Sequence, residues 1–204
     1  MKKIRISPLF FIWVIFLIQF QRQYLLPLIC AVALHELGHI GVALILKIKI
    51  KCFRLSILGA RMETATELSY RDEFLLAAGG PFLGFLGFAA SLPYALQGVS
   101  SNVDSNFVLQ FAIISLVLTL FNLIPLSTLD GGRMLFCLVC RFFSLGLALR
   151  ILRLTSFFTL FAFWIFSVYM VIKISSGLSM LIFCSIFFAK CFVFSNKNRE
   201  FESF

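Results

Sequence analysis

The stretch CAVALHELGHIGVALIL, residues 30–46, places three strongly polar side chains in an otherwise apolar run. These side chains are His35, Glu36 and His39. The apolar run begins at Tyr24, so it is long enough for the ~20 residues that an α-helix needs to cross a bilayer. An ionisable group within such a helix costs about 2.5–3.5 kcal/mol on insertion scales and is usually functional. The stretch therefore predicts a membrane-spanning helix that carries a functional polar site.

The composition of the whole chain indicates the same environment. Of 204 residues, 61% are hydrophobic and 27 are Phe, whereas soluble domains are roughly 45–50% apolar. The net charge of +9 suits basic residues that flank membrane spans and set their orientation. No basic stretch carries the interleaved aromatic residues of a nucleic-acid stacking platform, so nucleic acid is not an expected partner.

The apolar runs predict an all-α polytopic membrane protein with about six transmembrane helices, forming a single membrane domain over residues 1–204. The first run is short, and we expect it to extend into its flanks. A further stretch, Met134–Leu149, is interrupted by Arg141 and is either an interfacial helix or an extension of the fourth helix. The six predicted spans are Pro8–Phe20, Tyr24–Leu46, Phe74–Leu96, Phe107–Leu126, Thr155–Ile172 and Gly177–Phe194, the last two forming a C-terminal part at about residues 155–194.

Basic residues predict the orientation of these spans. Lys and Arg cluster before the first span, after the second, between the fourth and fifth, and at the C-terminus, whereas residues 97–106 between the third and fourth contain none. We therefore expect both termini in the cytoplasm of a bacterial cell and the polar site toward the cytoplasmic side of the membrane.

The loop after the second span begins with strict alternation of Lys and Ile from Lys47 to Lys51. This pattern is typical of a strand with one apolar face, and Gly59 suits a turn before a return strand at Arg61–Thr66. We predict a small β-hairpin at the membrane surface; the alternative is an amphipathic segment lying on lipid headgroups. An edge of the Lys47–Leu58 strand could pair with an extended peptide.

The motif H-E-x-x-H at residues 35–39 predicts a metal site. Residues four apart share one face of a helix, so His35 and His39 can bind one ion. Glu36 then lies beside the metal and can take a proton from bound water. His35 and His39 are the only histidines in the chain, which makes a chance match less plausible. The alternative is that these groups only form hydrogen bonds between helices.

Catalytic zinc typically takes three protein ligands and one water, so a third ligand must be acidic or Cys. Asp130 is the best candidate, because it follows the long fourth apolar run and precedes Gly131. Pro125 interrupts this run and frees backbone groups near a cavity. Cys137 and Cys140 remain as alternative ligands. Asn122 either donates a hydrogen bond to a substrate carbonyl or forms a hydrogen bond with a neighbouring helix.

The pairing of HELGH with the downstream NLIPLSTLDGG resembles the site-2 protease family (M50) of intramembrane zinc metalloproteases. The family pattern H-E-x-x-H and N-x-x-P-x-x-x-L-D-G matches this chain over the catalytic core at about residues 24–135. AAGGP at Ala77–Pro81 is similar to the A-G-P segment of the intervening helix, in which Gly84 stands where many members carry Asn. The matching residues are His35, Glu36, His39, Asn122, Pro125, Leu129, Asp130 and Gly131.

The resemblance implies that one zinc ion is bound by His35, His39 and Asp130, and that Glu36 activates water. It is closest to the branch that contains stage IV sporulation protein FB, which implies a membrane-tethered sigma-factor precursor as substrate and membrane-protein regulators as partners. A C-terminal CBS domain, common in that branch, is not expected. The rival hypotheses are a catalytically inactive binder of membrane proteins with the same fold and, less well supported, a metal transporter.

Overall fold

The computed structural model describes only part of the chain: residues 3–6, 22–56, 59–64, 68–96, 105–174 and 185. The predicted first and sixth spans, Pro8–Phe20 and Gly177–Phe194, lie outside the described residues. The chain divides into two compact units, Met1–Leu123 and Ile124–Phe204.

Among its described residues, the first unit has three strands and three helices. The strands are β1 (Lys3–Ile6), β2 (Ile50–Ser56) and β3 (Gly59–Thr64). The helices are α1 (Arg22–Ile45), α2 (Tyr70–Leu96) and α3 (Ser105–Asn122), and they pack against one another. α1 has 24 residues and is therefore about 36 Å long, enough to cross a bilayer. α2 is also long and apolar enough to span, and α3 contains a shorter apolar helix.

α1 ends in a backbone turn that also sets the start of the sheet. Lys47 N–H donates to Leu44 O at 3.1 Å and Ile48 N–H to Ala43 O at 2.8 Å, which is the Schellman pattern. Lys47 has a positive φ of 55°, a conformation that Gly adopts more readily. The predicted strand at Lys47 is therefore displaced: Lys47 terminates the helix, and β2 begins only at Ile50.

The three strands form one sheet in the order β1-β2-β3. β2 and β3 pair antiparallel, with Phe53 opposite Met62, in the stretch for which the alternating pattern predicts a hairpin. Its position at a membrane surface stays a prediction. β1 pairs parallel with β2, so residues 3–6 are a strand and the expectation that the first span extends into this flank is wrong.

The position of β2 in the sheet corrects a second expectation. Because β1 and β3 are bonded to its two sides, β2 is the central strand. The prediction that an edge of this strand pairs with an extended peptide is therefore wrong. The outer sides of β1 and β3 are the edges of the described sheet.

α2 starts at a side-chain cap that the span prediction, which began at Phe74, did not include. The N–H of Asp72 donates to Ser69 Oγ at 3.2 Å, and Ser69 Oγ donates back to Asp72 Oδ2 at 2.8 Å. This reciprocal arrangement satisfies a free donor of the first turn. Asp72 and Glu73 also place negative charge at the positive end of the helix dipole.

The second unit contains α4 (Asp130–Phe142) and α5 (Leu145–Ile174), which pack together. Residues 123–129 are not helical, so α4 is a separate helix and not an extension of the fourth predicted span. The backbone of Phe143 is extended, which ends α4. The N–H of Leu147 donates a hydrogen bond to Ser144 O at 3.1 Å in the first turn of α5. The predicted segment Met134–Leu149 is thus divided between two helices.

α5 is a candidate membrane span over Leu145–Lys173. It starts ten residues before Thr155, where the fifth span was predicted to begin. Within the described residues, three helices are long and apolar enough to cross a membrane, those at 24–45, 70–96 and 145–173. The predicted total of six spans is not tested by the described part of the chain.

Candidate metal centre

The two histidines of the HELGH motif lie on one buried face of α1. Both side chains are buried, and their Nε2 atoms are 3.3 Å apart. The rings meet edge to face, at 82° and with centroids 5.0 Å apart. The i, i+4 spacing therefore places the two imidazoles on one face of α1, with their Nε2 atoms next to each other.

A backbone carbonyl of α2 fixes the orientation of one ring. His39 Nδ1 lies 2.7 Å from Leu76 O. A carbonyl only accepts, so Nδ1 carries the proton and donates it, which leaves the Nε2 lone pair of a neutral ring available to a metal. Metal-binding histidines typically donate their second nitrogen in this way.

Glycines of α2 allow this close approach of the two helices. A Cβ on Gly80 would meet His39 Nε2 and lie 2.7 Å from His35 Nε2, and one on Gly79 would lie 2.7 Å from Gly38 O. On α1, a Cβ on Gly38 would meet Gly79 O. Gly79 and Gly80 belong to the AAGGP segment, so its two glycines are the sequence signal for this contact.

Glu36 follows His35 on α1 and is partly buried. It therefore lies on a helix of membrane length, directly after the buried His35 in the sequence. Its role as a proton acceptor was predicted from the motif and stays a prediction.

The second unit places Asp130 in the first turn of α4. The preceding turn is tight: the N–H of Leu126 donates to Ile124 O at 2.7 Å and that of Leu129 to Leu126 O at 2.9 Å. A Cβ on Gly132 would meet Leu126 O, so a glycine at residue 132 is required by this turn. A carboxylate is also favoured at a helix N-terminus by the helix dipole.

The donor set that the sequence predicts combines His35 and His39 of the first unit with Asp130 of the second. Two imidazoles and one carboxylate are ligands that zinc prefers in catalytic sites. The donor set therefore fits zinc. Cys137, which is buried in α4, and Cys140 do not belong to this donor set.

Asn122 ends α3, and its Nδ2 donates to Leu118 O of the same helix at 3.0 Å. The structure thus shows a bond within one helix and not the interhelical bond that was the alternative. An amide nitrogen has two donors, so the second proton can still serve a substrate. Its substrate-positioning role stays a prediction.

Comparison with known proteins identifies the family. The family model of Peptidase family M50 matches residues 94–166. Stage IV sporulation protein FB of Bacillus subtilis is 32% identical over 142 residues, which are 67% of this chain and 47% of that protein. The chain belongs to the M50 family, the site-2 proteases. The predicted resemblance ended near residue 135, but the M50 match continues into α5.

Two further similarities agree with the M50 assignment. The zinc metalloprotease RasP of Oceanobacillus iheyensis is 34% identical over 76 residues, which are 37% of this chain and 18% of that protein. The solved structure of the site-2 protease from Methanocaldococcus jannaschii superposes with a TM-score of 0.59 and 21% identity, covering 94% of this chain and 90% of that one. The fold is therefore that of an M50 membrane protease.

The chain spans about half the length of the sporulation protein and a smaller part of RasP. M50 relatives together with helices apolar enough to cross a bilayer identify an integral membrane protein. The matched family is a family of peptidases, and one of the similar proteins, RasP, is named a zinc metalloprotease.

Proposed function

We propose that this chain is an intramembrane zinc metalloprotease, which hydrolyses a peptide bond in or near the membrane-associated segment of a membrane-bound protein. The observation that carries the proposal is the convergence of His35 Nε2 and His39 Nε2 at 3.3 Å on a helix long enough to span a bilayer. Gly80 supports it, because the absence of a side chain there lets α2 approach both nitrogens closely.

In this proposal His35, His39 and Asp130 hold one zinc ion. Zinc bound there supplies Lewis acidity, which polarises the scissile carbonyl and lowers the pKa of bound water. The support for Asp130 is its place in the motif N-x-x-P-x-x-x-L-D-G and its fixed position at the start of α4.

Glu36 is the proposed general base. It accepts the proton of the attacking water and then donates it to the leaving amine, so one carboxylate serves both half-reactions. Asn122 retains one amide proton, which we propose to donate to the carbonyl oxygen of the substrate as negative charge develops there.

A helical substrate hides its backbone carbonyls and must be extended before cleavage. The outer side of β3 is an edge of the described sheet, and we propose that it binds the extended segment by strand pairing. The proposed site lies toward the cytoplasmic side of a bacterial cytoplasmic membrane, with both termini in the cytoplasm, as the basic loops indicate.

The substrate class follows from the similarity to a stage IV sporulation protein. We propose a membrane-tethered regulator used in sporulation, of which a sigma-factor precursor is the class that the resemblance implies. Membrane-protein regulators of the protease belong to the same proposal.

The test compares cells that carry the wild-type chain with cells that carry Glu36→Gln, by quantitative proteomics of membrane and cytosol. We expect one membrane protein to lose its cytosolic fragment in the variant, because Gln cannot accept the proton of water. Glu73→Gln, which changes a carboxylate at the start of α2, is the control and should preserve the fragment. Unchanged fragments in Glu36→Gln, together with zinc-free purified protein, would instead support a non-catalytic binder.

A further inference from the structure

The turn that leads into Asp130 is bonded to a side chain of α5. The N–H of Ser127 donates a hydrogen bond to the hydroxyl oxygen of Ser156 at 3.1 Å. Ser156 lies 29 residues further along the chain, and its side chain is only 2% exposed. A backbone N–H outside a helix or sheet needs such a partner where water is excluded. This hydrogen bond therefore connects the non-helical residues 124–129 to α5, within the second unit.

Ser156 differs in its partner from the residue before it on α5. The hydroxyl of Thr155 donates to Ile151 O of the same helix at 3.0 Å, which is the usual local bond of a Ser or Thr in a helix. Ser156 shares the buried face of α5 with Leu152 and Leu160, which are 7% and 3% exposed and lie four residues away on either side. Its hydroxyl is therefore directed at the turn before α4.

The start of α4 packs against the same turn. A Cβ on Gly132 would meet Leu126 O and lie 3.0 Å from Ser127 N, so the two backbones are in contact. Ser127 N thus lies between Gly132 and the hydroxyl of Ser156. Asp130 lies three residues after Ser127 and two before Gly132. The backbone that carries its carboxylate is therefore fixed on both sides along the chain.

We propose that Ser156 is a positioning residue of the metal centre, because its hydroxyl holds the turn that places Asp130. This inference rests on the proposed zinc centre, in which Asp130 is a ligand. Without the hydroxyl, the turn samples several positions, and only some of them present the carboxylate correctly. The apparent dissociation constant of a ligand rises in inverse proportion to the competent fraction. Ser156 thus raises zinc affinity through Asp130 and not as a ligand.

The first test requires no metal. Hydrogen–deuterium exchange of the metal-free full chain in detergent is followed by mass spectrometry on overlapping peptides that cover residues 124–132. Ser156→Ala removes the acceptor of the Ser127 N–H, so this amide should exchange about three- to tenfold faster. Ser156→Cys keeps the shape of the side chain but offers only a weak acceptor, and exchange should change in the same direction.

The matched control for exchange is Ser167→Ala. It makes the same substitution on the same helix, at a side chain that is 0% exposed, and should leave exchange of residues 124–132 unchanged. Unchanged exchange in both Ser156 variants would overturn the role of this hydrogen bond in holding the turn.

The second test measures zinc affinity by competition with a chromophoric chelator. Ser156→Ala should bind zinc about three- to tenfold more weakly than wild type, the range that loss of one hydrogen bond gives. The visible absorption spectrum of the Co²⁺-substituted protein should also change, since a displaced carboxylate alters the geometry around the ion. Ser167→Ala should match wild type in both measurements.

A double-mutant cycle tests whether Ser156 acts through Asp130. In a chain that carries Asp130→Ala, the turn no longer presents a ligand, so adding Ser156→Ala should change the remaining zinc affinity by less than about twofold. In a chain that carries His39→Ala, the carboxylate is still present, and Ser156→Ala should cause the same loss of about three- to tenfold as in wild type.

The outcomes separate this inference from the proposed function. Wild type that binds zinc, with Ser156→Ala binding equally well, would overturn the positioning role and leave the protease proposal intact. Equal losses in the Asp130→Ala and His39→Ala backgrounds would show that Ser156 only stabilises the fold, which also overturns it. Wild type that binds no zinc would overturn the zinc centre and, with it, the role of Ser156.

Discussion

Gly80 lies beside both of the nitrogens that the proposed zinc ion would use. A Cβ there would meet His39 Nε2 and lie 2.7 Å from His35 Nε2, so Gly80→Ala places a methyl group against the metal-binding atoms. We expect zinc affinity to fall by about 10- to 100-fold, measured by chelator competition. Gly41→Ala should bind zinc like wild type, and equal binding by Gly80→Ala would contradict the proposed position of the ion.

At the scale of single residues, the sequence predicted the groups that carry chemistry better than the groups that support them. His35 and His39 follow from a spacing of four, which any α-helix converts into one face. The contact of Leu76 O with His39 depends on which residues of α1 and α2 meet. Local spacing does not encode such a contact, so it could not be predicted from the sequence.

The crossing of α1 and α2 depends on backbone contact at Gly38. A Cβ on Gly38 would meet Gly79 O and lie 3.0 Å from Gly80 Cα, and backbone atoms cannot rotate away. Gly38→Ala should therefore lower the free energy of unfolding by about 1–3 kcal/mol, as in other overpacked sites. Thermal unfolding in detergent measures this.

The control substitution for this crossing should change the free energy of unfolding in the opposite direction. Gly41→Ala lies on the same helix with open space around its Cβ, so it should raise stability by about 0.5–1 kcal/mol through helix propensity alone. Equal effects of the two substitutions would show that the helix, and not the crossing, determines the stability of this region.

The end of α1 gives a second prediction about an element. Lys47 is exposed and has a φ of 55°, which costs an L-residue roughly 1–2 kcal/mol. Lys47→Gly should therefore increase the free energy of unfolding by about 1 kcal/mol, which corresponds to about 2–4 °C in melting temperature for a chain of this size. Lys49→Gly, at an exposed position without a positive φ, should not stabilise the chain.

Elements were predicted best where one periodicity extends over many residues. The helices at Arg22–Ile45 and Tyr70–Leu96 agree with apolar runs of membrane length. The boundary at Phe143–Ser144 was missed, because the residues around it are apolar on both sides and the break depends on one extended residue and a Ser at the start of α5. β1 was missed because the basic residues around Ile4 also suit the flank of a membrane span.

For the whole molecule, the family assignment and the donor set predict that zinc binding is linked to stability. A ligand that binds only the folded chain stabilises it by RT ln(1 + [L]/Kd), about 2.7 kcal/mol at a concentration of 100 Kd. Zinc should therefore raise the melting temperature of the metal-free chain, and a chelator should reverse the shift. Asp130→Ala should lose most of the shift, because a bound ion would keep only two protein ligands.

The cysteine variants decide between Asp130 and a cysteine as the third ligand. Cys137→Ala and Cys140→Ala should both retain the zinc-dependent rise in melting temperature, since neither thiol belongs to the donor set of His35, His39 and Asp130. Loss of the shift in a cysteine variant, with the shift preserved in Asp130→Ala, would assign the third ligand to a thiol. Zinc content per chain, measured by metal analysis after gel filtration, should be one in both cysteine variants and below one in Asp130→Ala. A carboxylate ligand then explains why this chain has an aspartate in the first turn of α4, two residues before the Gly132 that the preceding turn requires.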